Sequence, residues 1–573
     1  MVSIYCGNKW NPKTGREGAP LAFDLESNFE LIAPPGSGKG ASLEIPNLLV
    51  GLRKCSVLSI DPSGQNAAVC AEARRRAGHD VQCLNPFGLH VARYDDLQSV
   101  GCNPMAGIHW RSPLFYQECA AIGEALIRLE GDSQIHFPQS ARGLVTGLVM
   151  WEVLKAAHER RPALLENIRT MLCEAETRDP DAADLTDEEQ KAGGRLKSGL
   201  RFHAAEMIAS GHWQISDLAG RYVKDGSREI DSIVSTARTQ TEWLLSEPMR
   251  SDLRKNGVNW SQLAEKPTTV FVIIPAEFLE TQEGSVWLRL IIMCALRVLY
   301  GRAGRRKIKD IVFLLSEFPA LKKLTAIESA KAQGRKYGLR LAFVIQDIHQ
   351  LERPEMYGAH GANSFAGACD AVFAFAPGDW ESAEWMSRRS GEEDVIVESA
   401  SQSTGQPGVN RTFSIHRERA WPPERILELP PFHGLVWFHG QSKPTPVYAP
   451  PYWTIPACKR LARPDPYHDD DAGDDAALPP YEPQPSTLPL LPAPADVSRV
   501  KRGPRKGVIA VALIAALGAG VWLFNNTAAA PAWHGASSSG GGVLHHHQTG
   551  KGSHNTVAPL PRKTAQGVLP NRQ

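Results

Sequence analysis

The stretch "APPGSGKGASLEIPNLL", residues 33–49, has the residue types of a phosphate-binding loop, G-x-x-x-x-G-K-[ST], with both ends altered. Ala33 stands for the first glycine, and Gly40 stands for the hydroxyl residue that helps hold magnesium. Such a loop works because backbone N–H groups at a strand-to-helix turn converge on phosphate oxygens, while the helix N-terminus adds positive potential. Pro35, Gly36, Ser37, Gly38, Lys39, Gly40 and Ala41 are therefore the expected nucleotide-binding residues. Gly36 and Gly38 permit the tight turn, and Lys39 reaches the β- and γ-phosphates of ATP. Ala33 is tolerable, because the first position closes the turn without a side-chain contact. Gly40 matters more. Without its hydroxyl, the Mg2+ that accompanies ATP is held by water, by the nucleotide or by Ser42. The alternative is a generic Gly-rich turn, against which a lysine at its fixed place after a strand argues.

Hydrolysis also requires carboxylates at neighbouring strand tips, one for the metal and one to activate water. The run "IVFLLSEFPALKKL" ends an apolar strand in Ser316 and Glu317. Glu317 suits water activation, whereas the metal-side position, ordinarily Asp, is Ser316. Asp61, at the end of "CSVLSI", is a second strand-tip carboxylate and a candidate Mg2+ ligand; equally, it caps the turn "DPSG".

The elements that must position these residues are legible as short apolar runs: "FELIA" (29–33), "CSVLSI" (55–60), "TTVFVIIP" (268–275), "IVFLLS" (311–316), "LRLAFVI" (339–345), "AVFAF" (371–375) and "GLVWFHG" (434–440). Runs that are continuous rather than alternating predict a parallel sheet buried on both faces, hence an α/β nucleotide-binding core. Residues 113–229 carry a helical period with no strand-like run of length, which predicts an inserted all-α domain between the two parts of the core, 1–112 and 230–453. The polar stretch "ETRDPDAADLTDEEQKAGG" inside it reads as a mobile surface loop or helix edge.

Residues 454–506 read as an acidic, then Pro-rich linker. Residues 507–524, "GVIAVALIAALGAGVWLF", carry no charge and are just long enough for a single transmembrane helix, which needs roughly 17–25 apolar residues. Arg499, Lys501, Arg502, Arg505 and Lys506 crowd its N-terminal side, which places the large N-terminal part in the cytoplasm and the tail, 525–573, beyond the membrane. The alternative for 507–524 is a buried Ala-rich core helix, which the low-complexity sequence on both sides disfavours. The tail is low in complexity; His545, His546 and His547 have no fixed geometry there for a metal. The first residues show no basic region leading into an apolar one, so no signal peptide is expected.

Composition excludes little. With 63 Lys plus Arg against 62 Asp plus Glu, no net field draws the molecule to nucleic acid, so any such contact is local. Ten scattered cysteines without C-x-x-C spacing predict reduced, buried thiols. Arg74 to Arg76, "GRAGRRKIK" (301–309), Lys322 with Lys323, and Arg388 with Arg389 are local basic clusters suited to phosphates, or else solvated helix faces. Aromatic interleaving is absent, which suits a grip on backbone rather than on bases.

The loop with "IPNLL", then "SIDPSG", "LNPF", "SARGLVTGL", "KPTTVFVIIP", "LLSEFPALKKL", "RKYGLRLAFVIQDIHQLE" and "GANSFAGACDAVFAF", in this order, resembles the type IV secretion coupling proteins, the TraG-like conjugation ATPases. The resemblance covers roughly residues 28–450. It implies a RecA-like ring motor, a homo-hexamer at the bacterial inner membrane beside the type IV secretion channel. Such a motor brings single-stranded DNA with its relaxase, or a protein, to that channel. It further implies Lys39 as the phosphate lysine and Glu317 as the Walker B glutamate. Arg335 would be an arginine finger reaching a neighbouring subunit's nucleotide, and Gln346 the γ-phosphate sensor. The alternatives are a surface arginine beside Lys336 and a hydrogen-bonded strand end. Gly40 matches a frequent family choice. Ser316, and Ser63 and Gln65 in "DPSGQ", do not, and neither does an anchor placed after the motor with none before it. These departures keep open a second reading, a nucleotide-binding docking receptor with weak hydrolysis.

Overall fold

The computed structural model describes residues 2–129, 135–223, 227–301, 310–401 and 410–468. The acidic and Pro-rich stretch from residue 469, the expected anchor at 507–524 and the His-containing tail lie outside them. Among the described residues, no helix is long and apolar enough to cross a membrane.

The strands, in chain order, are β1 (Val2–Asn11), β2 (Arg16–Leu25), β3 (Asn28–Ile32), β4 (Ser56–Asp61), β5 (Asp80–Leu84), β6 (Thr177–Asp179), β7 (Arg195–Ser198), β8 (Thr268–Ile273), β9 (Ile311–Leu315), β10 (Leu339–Ile345), β11 (Cys369–Phe375), β12 (Glu392–Ser401), β13 (Asn410–Arg419), β14 (His433–Phe438) and β15 (Thr445–Tyr448). Eleven of them form one sheet in the order β2-β1-β15-β14-β11-β3-β10-β9-β4-β8-β5. From β11 to β5 every pairing is parallel, and from β11 outward to β2 every pairing is antiparallel.

The continuous apolar runs are central strands buried on both faces, and their period of two divides them between two cores. In β9, Ile311, Phe313 and Leu315 enter one core, while Val312 and Leu314 enter the other. In β10, Leu341, Phe343 and Ile345 join the first, and Ala342 and Val344 the second. The first core also takes Val286 and Leu290 of helix Gln282–Tyr300 and most of the helical region. The second takes Leu43, Leu48 and Leu49 from the helix after the phosphate loop and Val69 of helix Gln65–Arg76.

Three expectations are corrected. The helical region does not stop at 229: residue 229 lies inside helix Arg228–Gln240, and helices continue through Gln262–Glu265 to the start of β8. It shares its core with one face of the sheet, because apolar helix faces need a partner surface. The polar stretch at 176–194 is not a loop but a hairpin with a short helix. Strand β6 pairs with β7, and helix Asp187–Lys191 between them starts in a capping box, Thr186 with Glu189. The spacer expected from 454 begins later. Helix Pro456–Leu461 and the residues up to His468 pack on the core, with Arg463 Nε donating to Ala68 O and Tyr94 OH to Pro464 O.

Candidate functional site

Four adjacent strands, β3, β10, β9 and β4, run parallel, so their C-terminal tips lie along one edge. The phosphate loop follows β3, Gln346 follows β10, Ser316 and Glu317 follow β9, and Asp61 ends β4. One edge therefore collects residues that are almost three hundred positions apart in the chain.

The loop turns through Gly36 (φ 76°) and Gly38 (φ 84°), left-handed conformations that favour glycine. At Gly38 a side chain is excluded twice over, since a Cβ there would fall 2.5 Å from the ring of Phe432. The helix that follows is wound wide in its first turn, with the Ile45 N–H bonding Gly40 O, and Ser42 N–H donates to Gly38 O at 2.8 Å. Lys39 forms an ion pair with Glu317 across the site. Gln346 Nε2 donates to the other carboxylate oxygen of Glu317 at 3.0 Å. Glu317 itself has φ 54° and ψ 48°, a left-handed backbone that costs a non-glycine residue on the order of 1 kcal/mol. The phosphate lysine, the candidate base and the candidate sensor are thus in one hydrogen-bonded chain.

Asp61 is fully buried, and its Oδ2 accepts from the Ala67 N–H at 2.7 Å. Burial raises its pKa to about 7, against the pull of the backbone N–H groups of Ala67 and Asn66. The turn into helix Gln65–Arg76 therefore occupies one of the two Asp61 carboxylate oxygens. Ser42 Oγ is buried without a hydrogen-bond partner, and Ser316 Oγ is buried beside the Glu44 carboxyl. Among the described residues no three His, Cys, Asp or Glu side chains converge as a metal centre.

Arg335 is not brought to this edge. It lies in the turn Gly334–Tyr337 before β10, at the opposite end of the sheet, 64% exposed and paired with Glu26 at 2.6 Å. Of the arginines at 74–76, only Arg76 is largely exposed. Arg74 is buried, donating to Leu48 O, Leu52 O, Cys55 O and Thr269 Oγ1. Arg75 pairs with Asp96 and Arg76 with Glu72. Arg388 pairs with Glu384, and Arg389 lies over the Trp385 ring. Residues 302–309 of the 301–309 cluster lie outside the described residues. Lys322 and Lys323 remain, lining a cavity of 510 Å³ with Arg128 and Arg142. All ten cysteines are free, and all but Cys173 are buried.

Two residues were missed in the sequence. Phe432, from the loop before β14, covers Gly38, and no local pattern announces it. Glu44 is 5% exposed, with Oε2 accepting from Asn66 Nδ2 at 2.7 Å. Burial raises its pKa, offset by Lys39, Asn66 and the adjacent Ser316 hydroxyl. Its signal was present: it is the single charge between Lys39 and Arg53.

A family model described as "Type IV secretory system Conjugative DNA transfer" matches residues 4–450. Conjugal transfer protein TraG of Agrobacterium fabrum is 25% identical over 437 residues, 74% of this chain and 61% of that protein. Type IV secretion system-coupling protein VirD4 of Bartonella quintana is 25% identical over 447 residues, 76% of this chain and 65% of that protein. The chain spans roughly three-fifths of the length of these curated relatives. Among solved structures, the bacterial conjugative coupling protein TrwBdeltaN70 aligns with a TM-score of 0.53 at 19% identity, over 78% of this chain and 93% of that one. Plasmid coupling protein TrwB in complex with ADP and Mg2+ aligns at 0.52 and 17% identity, over 78% of this chain and 94% of that one. At these identities the likeness establishes a shared fold.

Proposed function

Because the chain belongs to the type IV secretory system conjugative DNA transfer family, we propose that it is a coupling ATPase that binds ATP with Mg2+ and uses hydrolysis to pass a relaxase–DNA or protein substrate to a type IV secretion channel. The observation that carries this is the Lys39–Glu317–Gln346 chain at the phosphate loop. Lys39 is paired with the carboxylate that would activate water. An arriving γ-phosphate competes for the ammonium, which frees Glu317 to accept a proton from water while the Gln346 amide orients it. Bound Mg2+ would supply charge neutralisation on the β- and γ-phosphate oxygens. Exposed Arg335, distant from its own subunit's loop, suits a finger acting on a neighbour in a homo-hexameric ring.

Lys322 and Lys323 follow Glu317 through the short helix Phe318–Leu321, and buried Arg289 donates to Leu321 O and Lys323 O. That connection offers a route from the site to a cation-lined cavity where nucleic-acid backbone would make salt-dependent contacts. Anchoring of a cytoplasmic motor through residues 507–524 at the inner membrane, with the tail periplasmic, belongs to the same proposal.

The test is ATP turnover by the full chain with and without single-stranded DNA. Turnover that Lys39→Ala abolishes, and that Glu317→Gln lowers by about 10²–10⁴-fold with ATP binding retained, is expected. ATP binding by the native chain without any Lys39-dependent turnover would instead support the second reading, a docking receptor with weak hydrolysis, which the Ser316 substitution favours.

A further inference from the structure

Magnesium in a phosphate-loop site is ordinarily held by a loop hydroxyl and a strand-tip aspartate. Gly40 and Ser316 remove both. Glu44 lies four residues after Gly40 on the same helix, and its carboxyl interacts with Lys39, Asn66 and Ser316. Nothing crowds the turn at Gly40: a Cβ there would meet only Gln65 Oε1, at 3.7 Å.

The carboxyl itself is half satisfied. Asn66 Nδ2 donates to Oε2 at 2.7 Å, whereas buried Oε1 has no hydrogen-bond partner. The Ser316 hydroxyl lies beside the same carboxyl and favours its charged form, and Ser42 Oγ is buried without a partner. Lys39, the nearby cation, is paired with Glu317 instead. Unpartnered buried oxygens of this kind are costly unless something fills the site, and a hard cation takes oxygen ligands of this type.

We propose that Glu44 is the magnesium-binding carboxylate of this site, supplied from the phosphate-loop helix in place of the aspartate absent at 316 and the hydroxyl absent at 40, with Asn66 fixing its orientation. The assignment rests on the nucleotide-binding reading above. It moves the metal ligand from the strand to the loop helix, so one side chain replaces two.

ATP titrated calorimetrically into the full chain, with Mg2+ or with EDTA, tests it. The native chain is expected to bind ATP more tightly with Mg2+. Glu44→Gln is expected to lose at least roughly tenfold of the affinity in Mg2+ while changing that in EDTA by no more than about twofold. Adding Ser316→Asp to Glu44→Gln is expected to restore the Mg2+ effect. With Mn2+ as probe, the spectrum of bound ion in electron paramagnetic resonance should be lost in Glu44→Gln and recovered in the double variant. A full Mg2+ effect in Glu44→Gln overturns the assignment and leaves nucleotide binding intact. A native chain that binds ATP in neither condition overturns the nucleotide reading and this assignment with it. If Glu44→Gln does not fold, Asn66→Ala serves instead: it keeps the carboxylate, a several-fold weaker Mg2+ effect supports the proposal, and an unchanged one overturns it.

Discussion

Glu30 sits within β3, the strand that leads into the phosphate loop, with both carboxylate oxygens buried and neither in a hydrogen bond. Burial raises its pKa to about 7, against the opposing pull of Arg389 and Lys331. Asp61, also about 7, and Asp252, about 6, are raised by burial too. A carboxyl raised in this way stays protonated in the folded chain while the unfolded chain has already ionised. Its contribution to stability is fully present below the unfolded pKa, about 4, and is lost as pH rises through the folded one. Glu30→Gln should therefore raise the thermal unfolding midpoint more at pH 8 than at pH 5, with a limit on the order of 3 kcal/mol. Differential scanning calorimetry at the two pH values checks this; an equal shift at both would refute it. At this scale the sequence pointed to Lys39 and Glu317 through their place beside strand ends, and to Gln346 through the family resemblance. It did not announce their mutual bonds, because those depend on which strands become neighbours; for Asp61 it offered the capping of the turn after β4 and a metal role equally.

At the scale of elements, the arginines at 74–76 show how a composition signal changes meaning on folding. A triple-arginine run suits phosphate binding in sequence. In the structure Arg74 satisfies the carbonyls left open where the phosphate-loop helix ends, Leu48, Leu52 and Cys55, and ties that end to Thr269 of β8. Arg74→Met is expected to cost about 3 kcal/mol in denaturant unfolding, since it leaves several buried acceptors unpaired. Arg76→Ala, which breaks only an i,i+4 pair with Glu72, is expected to stay within about 0.5 kcal/mol. Equal effects of the two changes would remove Arg74 from this role. The strands were legible because doubly buried strands must be continuously apolar. The hairpin β6–β7 was not, because its residues are polar and its order comes from cross-strand bonds and a capping box rather than from an apolar period.

For the whole molecule, the decisive placement is that of Arg335 at the end of the parallel sheet opposite Lys39. A site completed by a neighbour's arginine requires a head-to-tail arrangement of copies, and two different defects then complement each other. Lys39→Ala and Arg335→Ala are each expected to abolish turnover alone. Mixed in equal amounts, they should recover about a quarter of native turnover, the share of interfaces that pair an intact lysine with an intact arginine. No recovery, with mixed assembly verified by pull-down of one tagged variant, would place Arg335 outside the reaction. What the sequence determined by itself was the set of parallel strands and the glycine-rich turn after β3, because burial on two faces and a tight turn each impose a local pattern. Only the tertiary structure decided that Glu44 stands beside Ser316, that Phe432 closes over Gly38 and that helix Pro456–Leu461 packs on the core. Those contacts join residues far apart in the chain, and nothing in the spacing of either partner encodes the distance between them.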